Sequence, residues 1–183
     1  MTDNYGNYFC SELIKYLQVH QRIHFLKQIK GDKYIEISCN NRGTYTLQNI
    51  IYAVTQDEEF NLIEETLLQN DNICLLAKDK EGHHMLEKII TSFAEEKRTY
   101  IFEEILYNFN ELATDKQGLC VLKKLIEFTK DYSSQKKIIA KILENALEYV
   151  QNAFGNFVVS EVLNQFKYET CTDIYSSIKG HYV

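Results

Sequence analysis

The chain of 183 residues has no proline, no tryptophan and only seven glycines. Without proline, no helix need be kinked or stopped by a missing N–H. Five of the glycines recur at a regular interval. The other two, Gly31 and Gly180, sit in matching Ile-Lys-Gly triplets, so glycine serves as punctuation inside a helical chain. A basic excess is also missing: 20 Lys and Arg stand against 26 Asp and Glu, for a net charge of −6. Such a balance supplies no long-range attraction to nucleic acid. No run is long and apolar enough for a membrane span, and no secretory or lipidation signal is recognisable. Cys10, Cys39, Cys74, Cys120 and Cys171 are odd in number, widely spread and form no Cys-x-x-Cys. They read as reduced core thiols, which points to an intracellular, cytoplasmic setting.

Catalytic signatures are lacking too. There is no nucleophile elbow, phosphate loop or two-histidine metalloprotease motif, so the expectation is a non-enzyme without cofactor or metal. His20 and His24 stand one helical turn apart but bring no third ligand. His83 and His84 are adjacent and are expected to diverge on a helix. The Glu-rich runs at 57–65 and 95–104 read as solvated helix faces.

What the chain does contain is one unit, five times over. The copies centre on Gly6, Gly43, Gly82, Gly118 and Gly155, spaced by 37, 39, 36 and 37 residues. Self-similarity at about 20–50 residues marks a stacked-repeat protein. Three residues before each glycine stands Asp3, Asn40, Asp79, Asp115 or Asn152, side chains suited to accept bonds from the free N–H groups that open a helix. Three, four, seven and eight residues after it the positions are almost wholly apolar, as in Met85, Leu86, Ile89 and Ile90. That spacing is one face of an α-helix. Further helical patterns lie between the glycine helices, over 59–68, 99–108 and 135–147. Each copy is therefore expected to hold three short helices: a lead-in helix, the glycine helix, and one across the back. No strand pattern and no linker appears. The chain is expected to be a single repeat domain over 1–183, cut inside a repeat at both ends.

Positions one, two and five after the glycine carry the function question. They are Asn7, Tyr8, Ser11; Thr44, Tyr45, Gln48; His83, His84, Glu87; Leu119, Cys120, Lys123; and Asn156, Phe157, Ser160. At about 100° per residue the first and fifth point the same way, with the second beside them. Stacked repeats would align these trios as a ladder.

The strings Asp3 to Tyr8, Asn41-Arg42-Gly43-Thr44 and Ala153 to Val159 resemble Pumilio (PUF) repeats, and the likeness covers essentially the whole chain. The copies look like the second to sixth repeats of an eight-repeat family member, with Ile178 to Val183 like the start of a seventh. The resemblance implies an all-α solenoid of about five three-helix repeats forming a right-handed crescent. It implies single-stranded RNA on the concave face, one base per repeat, with the first and fifth positions on the base edge and the second stacking. The RNA would run antiparallel to the protein and belong to messenger 3′ untranslated regions, with repression or decay as the outcome. Protein co-regulators would use the convex face; neither DNA nor membrane is implied.

Carried over by residue, Tyr8, Tyr45, His84 and Phe157 are the implied stackers. Asn7 and Asn156 match half of the pair that reads uracil, but Ser11 and Ser160 replace its Gln. Thr44 with Gln48 resembles the adenine pair. Glu87 resembles half of the guanine pair, with His83 replacing its Ser. Leu119 matches no base reader, and Lys123 is a possible phosphate contact. Other readings stand beside these: Asn7, Thr44 and Asn156 as extra caps, and Lys123 and Glu87 as solvated charges. The acidic balance and lost Gln residues also suit a protein-binding solenoid scaffold. A nucleolar-type relative that binds structured RNA would need a basic surface that this chain lacks.

Overall fold

The computed structural model describes residues 1–180. Among them lie fourteen α-helices, one short 3-10 turn at Glu95–Lys97, and no strand. The glycine helices are α1 (Gly6–Ile14), α4 (Gly43–Ala53), α7 (Gly82–Ser92), α10 (Lys116–Phe128) and α13 (Gly155–Gln165). Short lead-in helices precede the last four: α3 (Asp32–Ser38), α6 (Asn72–Lys78), α9 (Phe109–Ala113) and α12 (Ala146–Gln151). The back helices are α2 (Val19–Ile29), α5 (Asp57–Leu67), α8 (Thr99–Tyr107), α11 (Tyr132–Glu144) and α14 (Tyr168–Ile178). The three-helix repeat expected from the pattern is thus present. Of the expected seventh repeat, Gly180 ends α14 with φ +89°, and His181 to Val183 lie outside the described residues.

The chain folds as two compact units, Met1–Ile101 and Phe102–Val183. In the first, α1 packs on α4 and α4 on α7, while α2 packs on α5 behind them. In the second, α10 packs on α13 and α11 on α14. Like elements therefore stack on like, and the apolar face of each glycine helix becomes core. Leu47, Ile50, Ile51, Met85, Leu86, Ile89 and Ile90 are buried in the first unit; Val121, Leu122, Leu125, Ile126, Val158, Val159 and Val162 are buried in the second. Phe9 and Leu13 depart from the expected face and are exposed. The reason is positional. Thr46, which holds the matching place in α4, meets the preceding glycine helix through Ser11 Oγ at 3.0 Å, whereas α1 is the first helix among the described residues.

One joint recurs in all five copies. Asp3, Asn40, Asp79, Asp115 and Asn152 each accept two backbone N–H groups on Oδ1, from the glycine and the residue before it, at 2.7–3.0 Å. The lead-in helix then runs against the glycine. A Cβ on Gly118 would sit 2.5 Å from the Leu112 carbonyl oxygen, and one on Gly43 2.6 Å from that of Ile37. Gly6 has no lead-in helix, and its nearest neighbour would be Asp3 at 3.4 Å.

Behind the glycine helices one charge pair is buried. Glu59, expected in a solvated run, is fully buried on α5. Arg22 on α2 grips it with Nε to Oε1 at 2.7 Å and an η-nitrogen to Oε2 at 3.1 Å. The backbone N–H groups of Thr55 and Gln56 also donate to Oε2. Burial alone would raise the Glu59 pKa, but the Arg22 bond and the two backbone donors outweigh it and hold the pKa below the usual 4.5. The helical period shows which way residue 59 points; it does not show that Arg22 waits opposite.

Two outcomes follow from these contacts. Gly118→Ala pushes a Cβ into backbone that cannot swing aside and should lose ~1–3 kcal/mol in denaturant unfolding; Gly6→Ala should be near neutral. Glu59 has a depressed folded pKa, so its stabilisation is present above its unfolded value near 4.5 and is lost as pH falls through the folded value. Arg22→Ala leaves the carboxylate buried and alone, at a cost of ~3–5 kcal/mol at neutral pH. Protonating Glu59 should then restore stability, so unfolding midpoints of that variant should rise on mild acidification where those of the parent fall.

Candidate nucleic-acid interface

Because each joint fixes where the glycine helix starts, equal counts from the glycine give equal directions within a unit. The second positions accordingly reach solvent: Tyr8 is 75% exposed, Tyr45 63% and Phe157 52%, and His84 is exposed as well. Cys120, the one second position that is not flat, is half-buried. In the first unit Tyr8 and Tyr45 flank a groove of about 780 Å³ between α1 and α4. Asn7, Ser11, Arg42 and Asn49 also line it, so the whole first trio and Tyr45 of the second share a surface.

First positions behave differently. Asn7, Thr44 and His83 are buried, and Asn156 is half-buried. Asn7 Nδ2 donates to the Asp3 and Asn4 carbonyls at 2.8 and 3.2 Å, and Asn156 Nδ2 donates to that of Asn152 at 2.6 Å. Their amino groups thus serve the helix start, which leaves each Oδ1 as an acceptor. The capping reading thus holds for both amino groups. Thr44 Oγ1 bonds the Glu81 carbonyl at 3.3 Å and receives Gln48 Nε2 at 3.3 Å, so the first and fifth positions of the second repeat do meet.

The other fifth positions are already engaged. Ser11 pairs with Thr46, and Ser160 Oγ turns back to the Asn156 carbonyl at 2.8 Å. Lys123 Nζ lies 3.3 Å from Glu161 Oε2 on α13. Glu87 Oε2 lies 3.3 Å from His84 Nδ1. His83 and His84 do not diverge: their ring centroids are 3.9 Å apart. His83 Nδ1 meets the Asp79 carbonyl oxygen at 3.0 Å, which turns its ring along the helix toward its neighbour. His20 and His24 are both exposed on α2.

Arg42 is the residue that the trio omitted. It stands immediately before a repeat glycine, lines the groove, and its guanidinium bonds no partner among the described residues. Its backbone N–H is held by Asn40, so the joint that starts α4 also aims this cation. The signal was available in its sequence place, one residue before the glycine; Tyr5 holds the same place in the first copy and lines the same groove.

An all-helical chain of three-helix repeats that presents exposed second positions along its glycine helices is a solenoid-type repeat protein. The signature of the Pumilio-family RNA binding repeat matches residues 33–67, 72–106 and 108–143, more than half of the chain. The chain belongs to that family. It is 33% identical, over 89% of its length and 23% of the relative's, to Pumilio domain-containing protein C6G9.14 of Schizosaccharomyces pombe. It is 30% identical to Pumilio homolog 12 of Arabidopsis thaliana, over 100% of its own length and 30% of the relative's. Among solved structures, the Puf4 RNA binding domain bound to a recognition sequence from the HO endonuclease RNA 3′ UTR superposes with a TM-score of 0.89. The identity is 28%, covering 98% of this chain and 55% of that one. The RNA-binding domain of yeast Puf5p bound to SMX2 RNA gives 0.84 at 26% identity, covering 97% and 50%. The chain thus spans about half of the solved domains and less of the curated relatives. Among the described residues no helix is long and apolar enough to cross a membrane.

Proposed function

We propose that this chain binds single-stranded messenger RNA, at sites in 3′ untranslated regions, as a post-transcriptional regulator and not as an enzyme. The observation that carries this reading is the groove between α1 and α4. In a molecule of net charge −6, its lining holds three tyrosines, four amide side chains and one unpaired arginine, with no carboxylate. Flat rings offer stacking to any base, amides offer edge contacts, and Arg42 offers a phosphate contact. Tyr8, Tyr45, His84 and Phe157 stack. Thr44 with Gln48 reads one base edge, and the free Oδ1 atoms of Asn7 and Asn156 accept an N–H from another. Ser11, Ser160, His83 and Glu87 complete the edges with weaker reach. Lys123 contributes to phosphate only when released from Glu161.

This division favours binding over selectivity. A stacked base is worth ~1–3 kcal/mol, and a two-point edge contact discriminates by ~1–3 kcal/mol. Four of the five repeats keep a flat second position; only the second keeps a full edge pair. The expected preference is therefore sharp at one base and loose at the others.

A second reading has one observation in its favour. In the second unit a groove of about 570 Å³ opens between α8 and α11, lined by Glu103, Leu106, Tyr107, Lys137 and Lys141, with Tyr107 83% exposed. Such a surface suits a protein partner, as a co-regulator or as the sole ligand of a scaffold.

The deciding experiment compares this chain with Tyr45→Ala plus Gln48→Ala on a randomised single-stranded RNA pool. Loss of one stack and one edge should weaken binding by ~2 kcal/mol or more and flatten the preference at one base. Equal binding and equal selected sequences would remove the assignment, and absence of RNA binding by both would leave the scaffold reading. A companion variant, Glu161→Gln, frees Lys123. It should tighten RNA and steepen the fall of log K with log salt by ~0.7, the value of one added phosphate contact on a single strand; an unchanged slope would show that Lys123 points elsewhere.

A further inference from the structure

We infer that His83, His84 and Glu87 form a site for a divalent transition metal of the zinc class. Ligand atoms of the three side chains all lie within 4.8 Å of one another, the one such group among the described residues. The arrangement follows from the helix: Glu87 is four residues after His83 and three after His84, so it lies between the two in direction and neighbours both. His83 is buried, and its Nδ1 faces the Asp79 carbonyl oxygen. A carbonyl only accepts, so Nδ1 carries the proton and Nε2 keeps its lone pair. That is how metal-bound histidines are usually oriented, by an outer-shell acceptor on the other ring nitrogen. His84 and Glu87 are more exposed, with side-chain accessibilities of 49% and 24%, and no lysine or arginine is paired with Glu87 among the described residues.

Zinc takes imidazole nitrogen and carboxylate oxygen at about 2.0–2.2 Å, which sets neighbouring ligand atoms about 3.3 Å apart in a tetrahedron. Closing from 4.8 Å to that spacing asks for side-chain rotation by the two exposed residues about a fixed His83. Three protein ligands leave one position open for water or an incoming donor. Two imidazoles and a carboxylate favour zinc, nickel or copper over magnesium or calcium, which prefer oxygen alone. The same three residues are the first, second and fifth positions of the third repeat. A seated ion would withdraw them from a base, a consequence that rests on the RNA reading above; the site itself does not.

The test uses the full chain without RNA, so its outcome is independent of RNA binding. Zinc is titrated while the imidazole nitrogen resonances of all five histidines are followed by NMR, with magnesium as a control. Shifts confined to His83 and His84, absent with magnesium, are expected. Glu87→Gln should weaken zinc more than the roughly 10–100-fold typical of losing an outer-shell partner, and His84→Ala should do the same. His20→Ala should change nothing. Zinc shifts at His20 and His24 instead, zinc uptake without any histidine shift, or unchanged affinity in Glu87→Gln would each overturn the assignment.

Discussion

The structure depends on one short-range joint, an Asx side chain and a glycine three residues apart, repeated five times. The Asx oxygen holds the two N–H groups that open the glycine helix, and in the four copies with a lead-in helix the missing Cβ lets the lead-in backbone close to contact distance. Neither half suffices alone. A cap without the glycine would hold the helix start but keep the lead-in helix away. A glycine without the cap would leave the helix free to begin a residue early or late, turning every later side chain by about 100°. Because α10 begins at Lys116 and the other glycine helices at their glycines, the joint fixes direction through its bonds rather than through the first helical residue.

That fixed direction is what makes a surface out of a repeat. In α4, α7, α10 and α13 the third, fourth and seventh positions go to the core, and every second position but Cys120 goes to solvent. The first lies on the border, where it is asked to do two things. Asn7 and Asn156 spend their amino groups on the helix start and keep an oxygen that can accept. Thr44 is small enough to bond the Glu81 carbonyl of the following repeat and still meet Gln48. His83 can use one ring nitrogen inward and has a second to offer. In four of the five copies, Leu119 excepted, the border position holds a polar side chain, and the chemistry left for a ligand is whatever the helix start does not consume.

The helices, their order and the exposed second positions were legible from spacing, because period and capping are local properties. What escaped was what lies opposite. Phe9 and Leu13 carry the right period but meet no earlier helix among the described residues, so they stay exposed. Glu59 sits in an acidic run that reads as solvent-facing, and only the position of Arg22, 37 residues earlier, turns it inward. His83 and His84 were expected to part because their backbone directions differ. Side-chain rotation, which no spacing reveals, brings the rings together. Arg42 was passed over because it precedes the helix, where the 3.6-residue period says nothing about direction.

Net charge was a poor guide for a related reason: it has no address. Several acidic residues on the back helices meet lysines: Glu58 with Lys27, Asp57 with Lys97, Glu103 with Lys137, and Glu144 with Lys141. Packed helices stand about 8–10 Å apart, and salt screens exposed charges over about 8 Å under physiological conditions. A carboxylate one helix layer behind the α1–α4 groove is thus attenuated there, while Arg42 on its wall acts at contact range. An acidic molecule can in this way keep a cationic, aromatic groove. In the second unit the cation of the trio, Lys123, by contrast already faces a carboxylate on the neighbouring glycine helix.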